Sequence, residues 1–323
     1  MFKGKRIGLA LGGGGARGFA HWSVLRSLAK NGIEVDVISG TSMGSVIASA
    51  HFQKENYKHS YHSLKKFVIK YADRFSKMNT VEAGDSQKSQ GLGRLLGQIE
   101  TGYNLMQFLS RDYIGDPQLI EDIMHDFLKP CNLKELRKKV FICCLDVKTG
   151  RAFFTNEGEA RKFVGASMSV PGYFPALPFE GRLLFDAQSM YPVPIQIFQY
   201  EPVDFIISVD VGVPVEQDFK PSRAADILFR QIDMSYSHII SEVYHCSDLV
   251  IKPKIDGVHW THFHKMDEVM QAGVEAVEEA LPNFYKLIEQ PNKPAPKHRP
   301  WHNYGFPGTD RVDIYPSNPT GVS

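Results

Sequence analysis

Residues 6–44 read RIGLALGGGGARGFAHWSVLRSLAKNGIEVDVISGTSMG and carry the clearest indication of the fold. They hold two short apolar runs, Arg6–Leu11 and Val35–Ser39, and glycines and a segment of helical pattern follow each run. Short apolar runs that alternate with helices are typical of a parallel sheet with helices packed on it. The stretch therefore predicts the beginning of an α/β fold.

The same alternation continues along the chain. After the second strand, Gly40–Gly44 leads into an apolar helix that ends near Lys54. We predict five further strands, at Val140–Asp146, Arg151–Thr155, Leu183–Phe185, Asp204–Val211 and Asp248–Lys252, and two long helices, at Ala224–Tyr244 and Asp267–Glu289. We therefore expect a three-layer α/β/α fold with a mostly parallel central sheet.

Size, charge and cysteine content exclude several classes of protein. The 323 residues, 43% of them apolar, can bury a large core, so the chain is not disordered. Lys and Arg number 37 and Asp and Glu 36, so there is no basic field for nucleic acid, and we expect no such partner. The four cysteines have no CxxC spacing, which favours reduced thiols in a reducing compartment.

No segment of the sequence has the pattern of a signal peptide or a membrane span. The apolar run Ile7–Leu11 is too short for the core of a signal peptide. The longest apolar stretch, Val203–Val213, contains Asp204 and Asp210 and is far shorter than the roughly 20 residues of a spanning helix. We therefore expect a cytoplasmic protein that contacts membranes only peripherally.

Two segments depart from the α/β pattern. Asn79–Thr101 is rich in Gly, Ser and Gln, and we interpret it as a loop that covers a site or as an insertion without a role. Residues 291–323 contain seven prolines without periodicity, which predicts an extended tail. We therefore expect one domain over residues 1–290 and a proline-rich tail over 291–323.

The most informative motif is Gly40-Thr41-Ser42-Met43-Gly44, a GxSxG between a predicted strand and a predicted helix. In that context the serine occupies a tight strand-to-helix turn and its Oγ is presented at the start of the helix. The positive end of the helix dipole then stabilises negative charge that develops nearby. We predict that Ser42 is a nucleophile, and the structural alternative is a serine that only caps the helix.

A second motif, Gly12–Gly18, also follows a strand and precedes a helix. Consecutive glycines let backbone N–H groups converge on a phosphate or on an oxyanion. A dinucleotide site would need an acidic residue at the end of the second strand, but Asp36 lies near its beginning, and no Gly-Lys-Ser or Gly-Lys-Thr follows the glycines. An oxyanion loop is favoured because Ser42 lies on the same rim of the sheet. The predicted donors are the N–H groups of Gly13, Gly14 and Gly15.

A serine nucleophile needs a base, and two candidates exist. Asp186 directly follows an apolar strand, so its carboxylate is partly desolvated, which raises its pKa and makes it a better base. The alternative is a histidine in the order serine, acid, histidine, and the loop that would supply it contains His259, His262 and His264. We favour Asp186.

Together these motifs resemble those of the patatin-like phospholipases, specifically the bacterial single-domain members. Gly13–Gly18 is similar to the family's GGGx(R/K)G oxyanion loop, Gly40–Gly44 to its GxSxG, and Gly18–Leu25 to its first helix. Ala166–Pro175 is similar to the segment that precedes the family's aspartate. The resemblance covers about residues 5–290.

The resemblance implies a patatin-like fold and a lipid acyl hydrolase of the phospholipase A or lysophospholipase type. Residues 1–290 would be the hydrolase domain, with a Ser42–Asp186 dyad, no histidine, and no metal or other cofactor. Arg17 would anchor the glycine loop or bind a lipid phosphate. Membrane contact would involve the segment Asn79–Thr101 and five apolar residues that follow it, Tyr103, Leu105, Met106, Phe108 and Leu109. The alternative for these five residues is packing against the core.

One departure from the family pattern keeps other functions open. The family's aspartate stands in Asp-Gly-Gly or Asp-Gly-Ala, whereas this chain has Asp186-Ala187-Gln188. The departure favours, as an alternative, a catalytically weak lipid-binding or regulatory protein. A nucleotide-binding protein that uses the glycine loop is a third interpretation.

Overall fold

The computed structural model describes residues 4–53, 57–76, 110, 112–113, 115–212, 224–289 and 312–316. These residues form nine strands, seven α-helices and four short 3-10 helices. The predicted loop at Asn79–Thr101 and the apolar set at residues 103–109 lie outside the described residues.

The elements alternate along the chain much as the sequence pattern predicts. The strands are β1 (Ile7–Leu11), β2 (Val37–Thr41), β3 (Lys139–Asp146), β4 (Arg151–Thr155), β5 (Leu177–Phe179), β6 (Arg182–Asp186), β7 (Phe205–Val209), β8 (Leu249–Ile251) and β9 (Val312–Tyr315). The helices are α1 (Phe19–Lys30), α2 (Met43–Gln53), α3 (Tyr57–Ser76), α4 (Pro117–Phe127), α5 (Ala160–Met168), α6 (Ala224–Cys246) and α7 (Met266–Ile288).

All nine described strands belong to one mostly parallel sheet. β1 pairs in parallel with β2 and β7, β2 with β3, and β7 with β8. β4 and β6 pair antiparallel with β3, and β5 pairs antiparallel with β6. The parallel centre places the carboxyl ends of β1 and β2, where the two glycine motifs begin, on one rim.

Both faces of the sheet are covered. On β1, the side chains of Leu9 and Leu11 enter one hydrophobic core and that of Ala10 enters another, and on β7 Ile207 and Ile206 divide in the same way. Apolar residues of α1, α2 and α7 complete the first core, and residues of α6 complete the second. This is the predicted α/β/α arrangement, and the fold class is confirmed.

Several elements differ from the prediction. Helices α3, α4 and α5 and strand β5 are not predicted from the sequence pattern. β9 lies within residues 291–323, for which we expect an extended tail, and it pairs in parallel with β4. The ring of Tyr315 on β9 packs against those of Phe153 and Phe179, so this part of the expected tail is a strand of the sheet.

The helices of the described residues do not meet the requirements of a membrane span. None of them combines the length and the apolar character that crossing a membrane would need.

Candidate active site

The two predicted dyad residues, Ser42 and Asp186, come together because two strands end beside each other on β3. Thr41 of β2 pairs with Cys143 in parallel, and Asp186 of β6 pairs with the next residue, Cys144, in antiparallel orientation. β4 pairs with both cysteines along one edge of β3. Since a strand has two edges, β2 and β6 share the other edge, approach from opposite directions and end at adjacent positions.

Ser42 follows β2 on a turn that requires glycine on either side. Its φ is 52°, a left-handed value that is strained for a residue with a side chain. A Cβ at Gly40 would lie 2.6 Å from the backbone nitrogen of Ser45, and a Cβ at Gly44 would lie 2.2 Å from the carbonyl oxygen of Leu11. The close approach of backbones therefore explains the two glycines of the GxSxG.

Hydrogen bonds from neighbouring elements hold this turn in place. The Ser42 N–H donates to Ser167 Oγ at 2.9 Å, and that hydroxyl donates to the carbonyl of Cys143 at 2.7 Å. Ser45 Oγ donates to the carbonyl of Ser42 at 2.6 Å. α2 begins at Met43, so the positive end of its dipole lies at Ser42. The Ser42 backbone is thus fixed beside a helix N-terminus.

Asp186 is a buried carboxylate, and one of its two oxygens has no hydrogen-bond partner among the described residues. Burial raises its pKa to about 6, although the Ser42 hydroxyl and the Gln188 N–H lower it in part. The Gln188 N–H donates to Oδ1 at 2.8 Å. Within the described chain, Oδ2 has no partner that meets the full geometry of a hydrogen bond. Hydrogen bonds between a nucleophile and its base are often long in the absence of substrate. Oδ2 is therefore available to accept a proton.

The glycine loop offers fewer free donors than predicted. The Gly13 N–H donates to the carbonyl of Pro192 at 2.9 Å, so it is already engaged. The N–H groups of Gly14 and Gly15 find no backbone acceptor among the described residues. At Gly15, φ is 55° and a Cβ would lie 2.4 Å from the Trp260 carbonyl oxygen, so only glycine fits. Gly14 and Gly15 are therefore the candidate oxyanion donors.

Two side chains anchor this loop. His21 is fully buried and its Nε2 is 2.7 Å from the carbonyl oxygen of Gly12. Burial lowers the pKa of His21 to about 4, so the imidazole is neutral at pH 7, and the carbonyl acceptor requires the proton on Nε2. The backbone N–H and Nε of Arg17 both donate to the carbonyl of Gly14, at 3.2 and 3.3 Å. These contacts favour the anchoring interpretation of Arg17.

The three histidines proposed as an alternative base lie in a loop that packs on the glycine loop. The Ala16 N–H donates to the Trp260 carbonyl at 2.7 Å. The His259 N–H donates to Nδ1 of His262 at 3.1 Å, and His259 Nδ1 lies 2.9 Å from Thr261 Oγ1. These hydrogen bonds join His259 to His262 and to Thr261. The Ser42 hydroxyl, in contrast, lies close enough to Asp186 to lower the pKa of its carboxyl.

The described residues offer little support for a nucleotide site or a metal site. Oδ2 of Asp36, the acidic residue considered for a dinucleotide, accepts the N–H of Ile7 at 2.8 Å. That contact lies at the start of β1, the end opposite the glycine loop. No three His, Cys, Asp or Glu side chains of the described chain are grouped as metal ligands.

Sequence reasoning missed two residues of the site, Ser167 and Gln188. Ser167 lies within Ala166–Pro175, but its contact with a backbone 125 positions away has no local signal. Gln188 packs on the glycine loop, since a Cβ at Gly13 would lie 2.5 Å from its Oε1. The signal that could have found Gln188 is its departure from the Asp-Gly-Gly pattern.

A family model for the patatin-like phospholipases matches residues 9–198, which contain the glycine loop, Ser42 and Asp186. The chain belongs to the patatin-like phospholipase family. The resemblance noted in the sequence is thereby confirmed, and the paired strand ends described above lie within the patatin-like region.

Curated relatives of this patatin-like chain include much longer proteins. It is 27% identical over 308 residues to lysophospholipase NTE1 of Coccidioides immitis, covering 86% of this chain and 18% of that protein. It is 28% identical over 206 residues to lysophospholipase NTE1 of Candida albicans, covering 64% and 13%. The chain thus spans less than a fifth of the length of these relatives.

Two bacterial proteins of known structure are also similar to it. VipD from Legionella pneumophila has a TM-score of 0.38 at 11% identity, covering 85% of this chain and 67% of that one. ExoU in its complex with SpcU, from Pseudomonas aeruginosa, has a TM-score of 0.34 at 16% identity, covering 85% and 51%.

Proposed function

We propose that this patatin-like protein is a serine lipid acyl hydrolase with phospholipids or lysophospholipids as substrates. The observation that carries the proposal is the meeting of Ser42 and Asp186 on one edge of β3. The raised pKa and open Oδ2 of Asp186 suit a general base. Family membership and the similarity to proteins named lysophospholipase support the substrate class.

In the first half of the reaction, Ser42 Oγ attacks the acyl carbonyl carbon and its proton passes to Asp186 Oδ2. The carbonyl oxygen becomes an oxyanion, which the N–H groups of Gly14 and Gly15 and the dipole of α2 stabilise. The tetrahedral intermediate then collapses, the ester C–O bond breaks, and the leaving alcohol takes the proton from Asp186. The acyl group remains on Ser42.

In the second half, Asp186 accepts a proton from a water molecule as that water attacks the acyl-enzyme carbonyl. The same donors stabilise the second oxyanion. Collapse expels Ser42 Oγ, which takes back the proton from Asp186, and the fatty acid leaves. The cycle uses no histidine and no metal.

The alternative of a catalytically weak lipid-binding protein depends on the Asp186-Ala187-Gln188 sequence. Among the described residues that are not glycine, only Ser42 and Glu180 have positive φ, so the backbone at Ala187 does not require glycine. The methyl group of Ala187 is fully buried in the second core. The alanine in place of glycine therefore does not strain the backbone next to Asp186, which favours a hydrolase.

The test is hydrolysis of a short-chain chromogenic ester, with Ser42→Ala as the variant and Ser241→Ala as the matched control. Ser241 is exposed on α6 and donates to the carbonyl of His238. We expect Ser42→Ala to abolish turnover with an almost unchanged Tm, and Ser241→Ala to behave as wild type. A fluorophosphonate probe should label Ser42 alone. Retained turnover in Ser42→Ala, or a lipid-binding wild type without turnover, would refute the assignment.

The same proposal includes a cytoplasmic location and peripheral contact with the membrane that holds the substrate. The sequence candidates for that contact are Met106 and Phe108, which lie outside the described residues. Changing both to Ser should lower activity on phospholipid vesicles and spare soluble short-chain esters. Equal loss on both substrates with a lowered Tm would place membrane contact elsewhere.

A further inference from the structure

The segment that follows β7 packs on the glycine loop at Gly14, one of the two candidate oxyanion donors. A Cβ at Gly14 would lie 2.7 Å from Cγ2 of Val211 and 3.4 Å from its carbonyl oxygen. The Gly12 N–H donates to the carbonyl of Val209 at 3.1 Å, so the loop and this segment leave the sheet side by side. The position of the Gly14 backbone therefore depends on what holds Val211 in place.

A buried carboxylate, that of Asp210, holds this segment. Asp210 is 1% exposed, and its Oδ1 accepts the N–H of Gly212 and the hydroxyl of Tyr236, each at 2.8 Å. A Cβ at Gly212 would overlap the Tyr236 hydroxyl, so that hydroxyl lies directly against the Gly212 backbone. Burial, and after it the charge of Asp210, raises the pKa of Tyr236 above its ordinary value, so the hydroxyl keeps the proton that it donates. Tyr236 and Oδ1 therefore fix the backbone that follows Val211.

The second oxygen of the same carboxylate has different partners. Oδ2 accepts the hydroxyl of Tyr244 at 2.6 Å and lies 3.5 Å from Nζ of Lys252. A negative charge behind an oxyanion loop would oppose the charge that develops there, and the Lys252 ammonium offsets it. The three atoms nearest to a Cβ at Gly212 all belong to Tyr236. The two tyrosines thus bind the same carboxylate, but Tyr236 does so on the side of Gly212 and Tyr244 on the side of Lys252.

We propose that Tyr236 is a positioning residue that acts through Oδ1 of Asp210 and the Gly212 backbone to hold the glycine loop at Gly14. The position matters because a donor N–H stabilises an oxyanion fully only when it is aimed at the place where the charge forms. α6 packs in the second core and α1 in the first, so a helix on the far face of the sheet controls the loop that precedes α1. The inference rests on the proposed function for its effect on catalysis, and the experiment separates the two.

The decisive variant is Tyr236→Phe, and the matched control is Tyr244→Phe. Each removes one hydroxyl donor from the same carboxylate and keeps the ring, so the two should lower Tm by similar amounts. Turnover is measured on p-nitrophenyl butyrate, a soluble ester. Hydrogen–deuterium exchange of the peptide that contains residues 12–18 is followed by mass spectrometry. The N–H groups of Gly12, Ala16 and Arg17 are hydrogen-bonded there, so their exchange reports a loosened loop without any need for activity.

We expect Tyr236→Phe to lower kcat by about tenfold, with a smaller change in KM, because a displaced donor weakens the transition state more than the bound substrate. The loop peptide should exchange several-fold faster than in the wild type. Tyr244→Phe should keep the kcat and the loop exchange of the wild type. A merely structural role of Tyr236 would give the two variants the same Tm, the same kcat and the same loop exchange.

If the wild type hydrolyses the ester, then unchanged kcat or unchanged loop exchange in Tyr236→Phe overturns the inference, and the hydrolase function stands. An equal loss of kcat in the two tyrosine variants overturns it as well. If the wild type has no turnover but the loop of Tyr236→Phe alone exchanges faster, the proposed hydrolase function fails and the positioning of the loop by Tyr236 stands. If there is neither turnover nor a change in loop exchange, both proposals fail.

Discussion

At the residue scale, the site holds the carboxylate of Asp186 in a buried position that disfavours its negative charge. Asp186 is 3% exposed, and its pKa of about 6 lies above its ordinary value of 3.8. The raised pKa means that the fold stabilises the protonated form relative to the unfolded chain. The same burial that makes the group a stronger base therefore lowers the stability of the protein near neutral pH.

This conflict predicts the effect of Asp186→Asn on stability. The contribution of Asp186 is favourable below pH 3.8 and is lost as the pH rises through 6, a change of about 3 kcal/mol for two pKa units. An asparagine at position 186 does not ionise, so the stability of the variant does not fall in this way as the pH rises. We therefore expect the free energy of unfolding of the variant, relative to wild type, to rise by about 2 kcal/mol between pH 4, where part of the change has already occurred, and pH 7. Urea denaturation at both pH values measures it, and a constant difference would contradict the burial of the charge.

The same pKa predicts the pH dependence of turnover. Asp186 must be ionised to accept the Ser42 proton, so kcat/KM on a soluble ester should rise with pH and reach half its plateau near pH 6. Asp186→Asn should lose activity about as completely as Ser42→Ala, and the double variant should lose no more. Changing His259, His262 or His264 singly should leave the midpoint in place. If substitution of one of these histidines abolished the rise of kcat/KM with pH, the base would instead be a histidine.

His21 predicts a second effect of opposite sign. The pKa of His21, about 4, lies below the ordinary value of 6.5. Its contribution to the free energy of unfolding is therefore complete above pH 6.5 and is lost as the pH falls towards 4. His21→Phe removes the donor to the Gly12 carbonyl and should cost about 1 to 3 kcal/mol and about tenfold in kcat. His21→Gln keeps a donor and should retain more activity. Equal activity of the two variants would show that the hydrogen bond does not position the loop.

At the element scale, the strand-to-helix turn is where sequence and structure agree best. The GxSxG pattern predicts the turn, and β2 ends at Thr41 so that Ser42 follows directly. Gly40 is required by a contact within the turn, with Ser45, whereas Gly44 is required by the approach of α2 to Leu11 of β1. The meeting of β2 and β6 has no such local signal. It depends on two strand pairings with β3. One joins Thr41 in parallel to Cys143, which is more than a hundred positions away, and the other joins Asp186 in antiparallel orientation to Cys144. Neither is visible in the periodicity of one strand.

The turn predicts an unequal cost for two glycine substitutions. Gly32→Ala, at φ 69° with nothing near the added Cβ, should cost only about 1 kcal/mol of backbone strain. Gly44→Ala places its Cβ 2.2 Å from the Leu11 carbonyl oxygen, so the backbone must move. We expect it to lower Tm further and to abolish turnover, as followed by thermal denaturation and ester hydrolysis. If the two variants were equally active, the packing of α2 on β1 would not determine the position of Ser42.

Two of the elements that the sequence pattern did not predict, β5 and α5, share a physical cause. β5 has three residues and includes a proline, and α5 has nine residues and includes Gly165, so each is too short or too interrupted for a periodic pattern. Both are stabilised by tertiary contacts. β5 pairs with β6, and α5 supplies Ser167 to the turn.

At the scale of the whole molecule, β9 ties the end of the described chain to the sheet. It covers the edge of β4 that β3 leaves open. Asp313 on β9 forms ion pairs with Arg151 and Arg182. A proline-rich composition predicts an extended segment but not its partner, because a strand that lies beside β4 and an unpaired extended chain have the same local sequence signals.

This role of β9 predicts the outcome of shortening the chain after residue 290. The shortened protein loses the Tyr315 contacts with Phe153 and Phe179 and exposes an unpaired β4 edge, so we expect a lower Tm and a tendency to aggregate. Turnover per folded molecule should persist, since Ser42 and Asp186 are on the far edge of β3 from β4. In the full chain, Tyr315→Ala should reproduce part of the loss of Tm, and Tyr315→Phe, which keeps the ring, should not. Differential scanning calorimetry and light scattering measure both effects. A shortened chain as stable and as monodisperse as the full one would show that β9 contributes nothing to the sheet.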